Sequence, residues 1–441
     1  MLLTTQNLQV HTAVASLVSW LATMRGPGGY GGPVAHWWQQ CLLYTGPGLD
    51  WRYEGIITGY LNLWERTGDE RWLRKAQEAG TDLLEGQLDN GHFAASAFEL
   101  NPATAGTPHE AACDLALLRL ALALRLRGDA AWEAYAACAR RNLEQFYLQE
   151  LWDPAAQSFR DDPAVPSFVP NKAATACEAL FLLAEISGDS ESVEKYALPN
   201  LAKILAHQAS GRANPALAGA VAQNSFGSRT IEKYFPLYNA RCVPALLAGY
   251  RFTGDARYRE SAHAIMRFIQ YWLEPDGALP AVIYANGRAS SGPQWIAPLG
   301  DILRAAAELA DSSLAAAFEP LQRRLLLGQS TSGGIRTASG FASQAGRTAP
   351  SLPDLRDVLP VVGWCDKAFR YLTALVEPGA TFEPAASLPV ELECTFQGRV
   401  MRLLETPEQL ELRYQKDHRV CYRWHKGQPW AEIAAPEFWL K

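Results

Sequence analysis

The chain has 441 residues, of which 48% are hydrophobic and 20% charged. This is the composition of a folded globular protein, and the length suffices for one large domain or two to three average ones. The formal net charge of -6 leaves no excess of Lys and Arg for a phosphate backbone, so we expect no nucleic-acid partner.

No stretch reaches the roughly 18 uncharged apolar residues that a membrane span requires. We therefore expect no membrane span and a cytoplasmic location. Eight cysteines stand singly, with no CxxC pair and no Cys/His cluster at metal-ligand spacing. No cofactor and no metal site is expected.

A short motif recurs between helical stretches. It reads Thr-Gly-Asp at 67–69 and 253–255, Arg-Gly-Asp at 127–129, Ser-Gly-Asp at 187–189 and, in degenerate form, Ala-Asp at 310–311. Gly suits the left-handed residue that ends one helix, and Asp is a good cap for the next. The motif therefore predicts helical hairpins at a period of roughly 60 residues.

Two kinds of helix alternate around this motif. Those before it are apolar nearly all round and should be buried: 51–64, 109–126, 172–186, 239–252, 295–309 and 363–376. The others have one wet face: 9–25, 70–87, 130–149, 191–208, 256–273 and 312–329. Six of each kind bury every apolar face if they form two concentric layers that close into a ring. The sequence thus predicts an all-α (α/α)6 toroid over residues 1–378.

The pattern changes after Pro378. Segments 390–404, 409–415 and 419–425 alternate apolar and polar residues, with turn signals at Gln397-Gly398 and Lys426-Gly427. We expect three or four antiparallel strands in a small β-rich segment over residues 379–441.

The links between helices are unequal in length. Turns after the inner helices are short, whereas the links from outer to inner helices are long and rich in Gly, Pro and aromatic residues: 26–50, 88–108, 152–170, 209–238, 274–294 and 330–362. Long loops on one rim, beside the N-termini of the inner helices, are where a binding site is expected.

The alternating helices, the Thr-Gly-Asp motif followed by Arg-Trp-Leu or Arg-Tyr-Arg, and turns such as Asp89-Asn90-Gly91 together resemble six-hairpin, glycosidase-like (α/α)6-toroid proteins. The nearest likeness is to the unsaturated glucuronyl and rhamnogalacturonyl hydrolases, and it covers roughly residues 9 to 376. It implies a glycoside hydrolase that acts on an oligosaccharide in the toroid cavity. In those hydrolases aspartates at the starts of early inner helices do the acid and base work, whereas here the second inner helix opens with Pro-His-Glu and the third with Pro-Asn-Lys.

Candidate catalytic residues are the acids and the histidine at the predicted inner-helix starts. We predict Glu110 paired with Asp50 or with Asp366, since two carboxylates can divide acid and base roles across a glycosidic bond. His109 could act as a base near neutral pH. Acids at these positions equally serve as ordinary helix caps.

Candidate binding residues are aromatic, cationic or amide-bearing. Flat rings suit the C–H faces of sugars, and Arg and Lys suit the carboxylate of an acidic sugar, although the same cations could simply balance nearby acids. The set consists of Trp37, Trp38, Trp51, Arg52, Asn171, Lys172, Tyr238, Asn239, Arg241, Trp295 and Trp364.

Other functions remain open at this stage. A polysaccharide lyase or sugar epimerase would need a base and a group that neutralises a uronate, parts that His109, Asn171, Tyr238 and Arg241 could supply. Gln87, Gln208 and Gln329 precede Gly-rich turns as in terpene-cyclase-like toroids, but no Asp-rich motif accompanies them. A third alternative is a non-catalytic sugar-binding or scaffold protein, because Lys172 stands where an acid is expected. The sequence does not fix the oligomeric state.

Overall fold

The computed structural model describes residues 5–35, 42–44, 47–94, 109–341, 352–428 and 431–434. Its α-helices are α1 Thr5–Thr23, α2 Arg52–Thr67, α3 Glu70–Glu85, α4 Ala111–Leu126, α5 Trp132–Asn142, α6 Pro170–Ser187, α7 Leu198–Ala206, α8 Pro236–Thr253, α9 Ala256–Tyr271, α10 Leu299–Glu308, α11 Ser312–Ala317, α12 Glu319–Leu327, α13 Leu355–Val358 and α14 Val362–Ala374. None of these helices is long and apolar enough to cross a bilayer.

Six of the helices form a closed inner ring. Helices α2, α4, α6, α8, α10 and α14 each contact the next in this order, and α14 contacts α2. The closing contact is tight, because a Cβ atom on Gly55 would lie 2.3 Å from the backbone oxygen of Asp366. The predicted toroid and its six buried helices are confirmed, with boundaries that differ by a few residues.

Three of the outer helices are less regular than the single helices that the sequence predicts. The third continues from α5 into π-helical turns at Leu143–Leu151, and the fourth begins with π-helical turns at Val193–Ala197 before α7. The sixth is divided at Phe318 into α11 and α12, with Pro320 in the first turn of α12. A proline is tolerated there because the first turn donates no intrahelical hydrogen bond.

Three glutamines join neighbouring outer helices. Each side-chain amide donates to a backbone oxygen in its own following turn and to one in the next outer helix around the ring. The second acceptors are Cys138 for Gln87, Ser261 for Gln208 and Ala13 for Gln329. The last of these bonds links α12 to α1 across the ring closure, so the recurring Gln has a structural role here.

Short strands lie in the long links: β1 Arg25–Gly26, β2 Gly29–Tyr30, β3 Pro33–Ala35, β4 Leu42–Tyr44, β5 Trp152–Asp153, β6 Ser158–Phe159, β7 Ser167–Phe168, β8 Asn224–Phe226, β9 Arg229–Ile231, β10 Lys233–Tyr234, β11 Ile283–Tyr284, β12 Gln294–Trp295 and β13 Ala338–Ser339. Strands of neighbouring links pair with one another, β7 with β8, β10 with β11 and β12 with β13. The long links therefore meet on one rim, as the sequence predicts.

An antiparallel meander follows the toroid. It consists of β14 Val390–Phe396, β15 Arg399–Glu405, β16 Gln409–Tyr414, β17 Val420–His425 and β18 Glu432–Ile433, in that order. The first predicted segment is two strands, divided at the turn that Gln397-Gly398 indicates, and β18 is a fifth strand that the sequence analysis did not include.

A buried carboxylate attaches this sheet to the toroid. Glu405 accepts hydrogen bonds from Trp20 Nε1 at 2.7 Å, Ser332 Oγ at 3.0 Å and Lys426 Nζ at 2.9 Å. Trp20 belongs to α1 and Ser332 to the last long link, so the sheet is fastened where the ring closes. The domain boundary at residue 378 stays a prediction, because the segments on its two sides pack together.

Candidate active site

A cavity of about 330 Å³ opens where the inner helices begin. Its walls hold seven of the predicted site residues: Trp51, His109, Asn171, Lys172, Tyr238, Arg241 and Trp364. The other lining residues are Glu54, Ala112, Val169, Thr175, Gln223, Phe235, Leu237, Asp301 and Lys367. All six inner helices or the residues just before them contribute, so the site depends on the closed ring.

The predicted acid Asp50 does not border this cavity. Its carboxylate forms a buried ion pair with Arg52, with Nε to Oδ1 at 2.7 Å and Nη2 to Oδ2 at 2.9 Å. Arg52 also donates to the backbone oxygen of Tyr30 at 3.0 Å. The pair fastens the first long link to the start of α2, and Arg52 likewise does not line the cavity.

Glu110 and Asp366 also lie behind the cavity walls. Glu110 is buried and accepts a hydrogen bond of 2.6 Å from Asn142, a residue of the outer layer. Asp366 is 1% exposed and accepts from Lys367 Nζ at 2.9 and 3.1 Å. Burial raises the pKa of Asp366 to about 7 even though the Lys367 ammonium lowers it. Asp366 thus positions Lys367, whose side chain lines the cavity.

Two further predicted binding residues, Asn239 and Trp295, do not line the cavity. Asn239 is buried and exchanges hydrogen bonds with the backbone of Val221, which ties the preceding link to α8. Trp295 is 7% exposed and packs behind Trp364. Trp37 and Trp38 lie outside the described residues.

An aromatic wall covers one side of the cavity. Trp51 and Trp364 are tilted rings with centroids 5.5 Å apart, and Trp295 continues the row 5.3 Å beyond Trp364. At the other end His109 meets Trp51 edge to face at 4.6 Å. The Lys367 ammonium lies 5.5 Å from the Trp51 ring and 5.7 Å from the Trp364 ring, within cation–π range.

Three arginines meet at the floor of the cavity on the carboxylate of Glu54, which is 3% exposed. Arg241 and Arg304 each donate to Glu54 Oε1 at 3.0 Å, and Arg370 donates to the same oxygen. Burial alone would raise the pKa of Glu54, but the charges of Arg241, Arg370 and Arg304 hold it well below its usual range. Glu54 is therefore ionised and holds Arg241 against the cavity.

The same network extends to a second carboxylate of the cavity, Asp301 on α10. Arg370 donates to Asp301, and Arg241 Nη1 lies 4.0 Å from its Oδ1. Since the same Nη1 atom is 3.0 Å from Glu54 Oε1, the two carboxylate oxygens are no more than about 7 Å apart.

Among the described residues, no group of three or more His, Cys, Asp and Glu side chains is arranged to hold a metal ion. The polar side chains of the described residues that line the cavity are carboxylates, cations, amides, the hydroxyls of Thr175 and Tyr238, and the imidazole of His109. Such groups can transfer protons, stabilise charge and bind hydroxyls.

Neither a family model nor a curated protein matches this sequence, but solved structures match its fold. An unsaturated glucuronyl hydrolase specific for heparin is 14% identical, with 84% of this chain and 95% of the other covered and a TM-score of 0.59. Cellobiose 2-epimerase from Bacillus thermoamylovorans is 13% identical, with 84% of this chain and 99% of the other covered and a TM-score of 0.62. An inactive α-1,6-mannanase variant from a Salegentibacter species, bound to α-1,6-mannotetrose, is 13% identical, with 83% and 98% covered and a TM-score of 0.56.

The fold is the six-hairpin (α/α)6 toroid. The resemblance drawn from the sequence is confirmed at the level of architecture. At these identities the likeness does not extend to the reaction, because this fold supports several activities on sugars.

Some toroid residues that shape the cavity were missed or passed over in the sequence. Glu54, Thr175, Gln223 and Asp301 are not among the residues predicted for the site. A signal existed, because polar residues in these apolar helices recur three, four or seven positions after the start, as in Asn171, Thr175 and Glu178 of α6. Such spacing places them on one helix face, which here faces the ring axis.

Proposed function

We propose that the chain is a carbohydrate-active enzyme that hydrolyses a glycosidic bond of an oligosaccharide bound in the toroid cavity. The observation that carries the proposal is the opposition of two proton-transfer groups across an aromatic-walled cavity. His109 precedes α4, the second inner helix, and Asp301 belongs to α10, the fifth. In a ring of six, these helices face one another, so a bound sugar would lie between the two groups.

The two groups would divide the chemistry. Hydrolysis needs a proton donor for the leaving oxygen and a base that activates water from the other side. We assign the donor role to the His109 imidazole, which is half-buried beside Trp51, and the base role to the Asp301 carboxylate. Glu54 is unsuited to be the donor because three arginines keep it ionised. Its role in the proposal is to hold Arg241 and Arg370 in place.

The solved structures support a sugar as substrate. The three solved structures described above are, by name, a glucuronyl hydrolase, a cellobiose epimerase and a mannanase, and they share the fold of this chain. The aromatic wall suits the C–H face of a pyranose ring. The opposed acid and base groups favour an enzyme over a scaffold, since a scaffold does not require them.

A second candidate is proton transfer at carbon, as in an epimerase or a lyase. It is favoured by one observation: His109, Asn171, Tyr238 and Arg241, the set that such chemistry would use, all line the cavity. In that reaction His109 would remove a proton next to a carbonyl or carboxylate, and Arg241 would stabilise the negative charge that develops.

Mass spectrometry of the purified protein with a panel of neutral, uronate-containing and unsaturated uronide oligosaccharides tests the proposal. We expect cleavage with addition of water, and a loss of roughly 10²- to 10⁴-fold in kcat for His109→Gln and for Asp301→Asn. His263→Gln on α9 and Asp89→Asn in an outer link are matched controls that should keep full activity. An isomerised sugar of unchanged mass, or an unsaturated product, would show that hydrolysis is wrong and would support proton transfer at carbon instead.

We also propose a cytoplasmic location. The seven cysteines that the structure describes are all buried and carry free thiols. Such a set is typical of proteins of a reducing compartment, where disulfides are rare. Fractionation of the source cells should recover the protein with cytoplasmic markers, and recovery outside the cell would contradict this.

A further inference from the structure

We infer that Asn171 and Gln223 determine the specificity of the cavity by binding hydroxyl groups of an uncharged pyranose ring. The inference rests on the proposed function, because it concerns the sugar that the same cavity would bind. Three features of the described residues support it: the position of the two amides, the absence of side-chain hydrogen-bond partners for them, and the pairing of each lining cation with an acid.

The two amides face the aromatic wall across the ring. Asn171 lies in the first turn of α6, the third inner helix, and Gln223 in the link that leads to α8, the fourth. Trp51 and Trp364 belong to the first and sixth hairpins, on the opposite side of the cavity. A pyranose ring that lies against the indoles therefore directs its hydroxyl edge towards the amides.

Neither side-chain amide has a hydrogen-bond partner among the residues that the structure describes. Among the residues that the structure describes, Gln223 Oε1 is a buried oxygen without a hydrogen-bond partner. In the same part of the chain, the side-chain amide of Asn171 makes no hydrogen bond. The backbone oxygen of Asn171 accepts one from Thr175 Oγ1. Buried polar atoms are nearly always hydrogen-bonded, so an unsatisfied acceptor in a cavity wall points to a donor from a ligand. A sugar hydroxyl is such a donor, and it can also accept from an amide N–H.

Each cation that lines the cavity in the described part of the chain, in contrast, already has an acidic partner. The three pairs are Lys172–Asp161 at 2.7 Å, Arg241–Glu54 at 2.8 Å and Lys367–Asp366 at 2.9 Å. A ligand carboxylate would lose its hydration on entering and would have to compete with these acidic partners for the cations. The cavity is therefore built for a neutral ring, which argues against the acidic sugar considered in the sequence analysis.

Calorimetric titration with cellobiose and mannobiose, against cellobiouronic acid, tests this on the intact chain. We expect a neutral disaccharide to bind and the uronate to bind at least tenfold more weakly. Gln223→Met and Asn171→Leu should each weaken neutral-sugar binding about tenfold, the effect of one lost hydrogen bond. Gln270→Met, an exposed amide on α9, is the matched control and should bind as the wild type does.

Two further measurements separate recognition from a structural role. The free energy of unfolding of Gln223→Met should equal or exceed that of the wild type, because its oxygen has no internal partner to lose. Among monodeoxy analogues of the sugar, the one that lacks the hydroxyl bound by Gln223 should bind to wild type and to Gln223→Met with equal affinity.

The failures are distinguishable. Tighter binding of the uronate, or neutral-sugar binding that both amide variants retain, would overturn this inference and leave the proposed function standing. Absence of binding and turnover with every sugar would overturn the proposed function and this inference with it.

Discussion

The carboxylate of Glu54 should be one of the largest single contributors to stability in the toroid. It is 3% exposed and accepts from Arg241, Arg304 and Arg370. Replacement by the isosteric amide in Glu54→Gln keeps the shape but removes a negative charge that all three guanidiniums contact. Removing one partner of a buried ion pair costs roughly 3–5 kcal/mol, so we expect a loss of that order in the free energy of unfolding.

The stabilisation by Glu54 should decrease as the pH falls. The pKa of Glu54 in the folded protein is lowered, so its stabilisation is fully present above the pKa of the unfolded carboxyl, about 4.3, and is lost as the pH falls towards the folded value. The difference between wild type and Glu54→Gln should thus be constant above about pH 5 and shrink below it.

Denaturant unfolding of wild type, Glu54→Gln and the exposed control Glu144→Gln, at pH 7 and at lower pH, measures this. The control should change the free energy of unfolding by no more than about 0.5 kcal/mol. If Glu54→Gln is as stable as Glu144→Gln, the arginines do not depend on Glu54 and the description of the cavity floor is wrong.

Three further predictions concern the ring and the sheet. Burial raises the folded pKa of Asp366 to about 7, so its carboxyl lowers the stability of the wild type as the pH rises from 4 to 7. Over that interval the free energy of unfolding of Asp366→Asn should rise relative to the wild type by up to about 4 kcal/mol, and a difference that does not change with pH would refute the pKa shift. Gly55→Ala should lose about 1–3 kcal/mol, because a Cβ meets the backbone of α14 where the ring closes, and an unchanged unfolding curve would show that the helices can separate at no cost. Glu405→Gln should destabilise the protein by a few kcal/mol through the loss of the buried bond to Lys426, whereas Glu405→Gln combined with Lys426→Met should recover part of that loss; no recovery would mean that the pair does not hold the sheet.

The fold could be predicted from the sequence because the signals were local and repeated. The Gly-Asp motif marks helix ends, as at Gly68 with φ 72° and Asp69, whose side chain accepts from Arg71 N. The alternation of apolar and amphipathic helices then leaves the closed ring as the arrangement that buries both kinds. The breaks at Phe318 and in the π-helical turns were not predictable in this way, since they depend on packing against neighbouring helices.

The site was predictable only in part. Residues just before the inner helices, such as Trp51 and His109, were expected near the binding site and do line the cavity, because the helix starts converge there. The predicted acids Asp50, Glu110 and Asp366 do not border the cavity, because each is held behind its wall by a partner that the sequence does not show. Those partners come from residues distant in sequence or from neighbouring side chains whose direction depends on the fold.

The most direct test of the central claim is an incubation of the oligosaccharide panel in water enriched in heavy oxygen, and in parallel in heavy water, read by mass spectrometry. Hydrolysis predicts one heavy oxygen at the new reducing end of the cleaved sugar, and its absence with His109→Gln. Carbon-bound deuterium in an uncleaved sugar, with no heavy oxygen at a new reducing end, would contradict the account and assign the cavity to proton transfer at carbon.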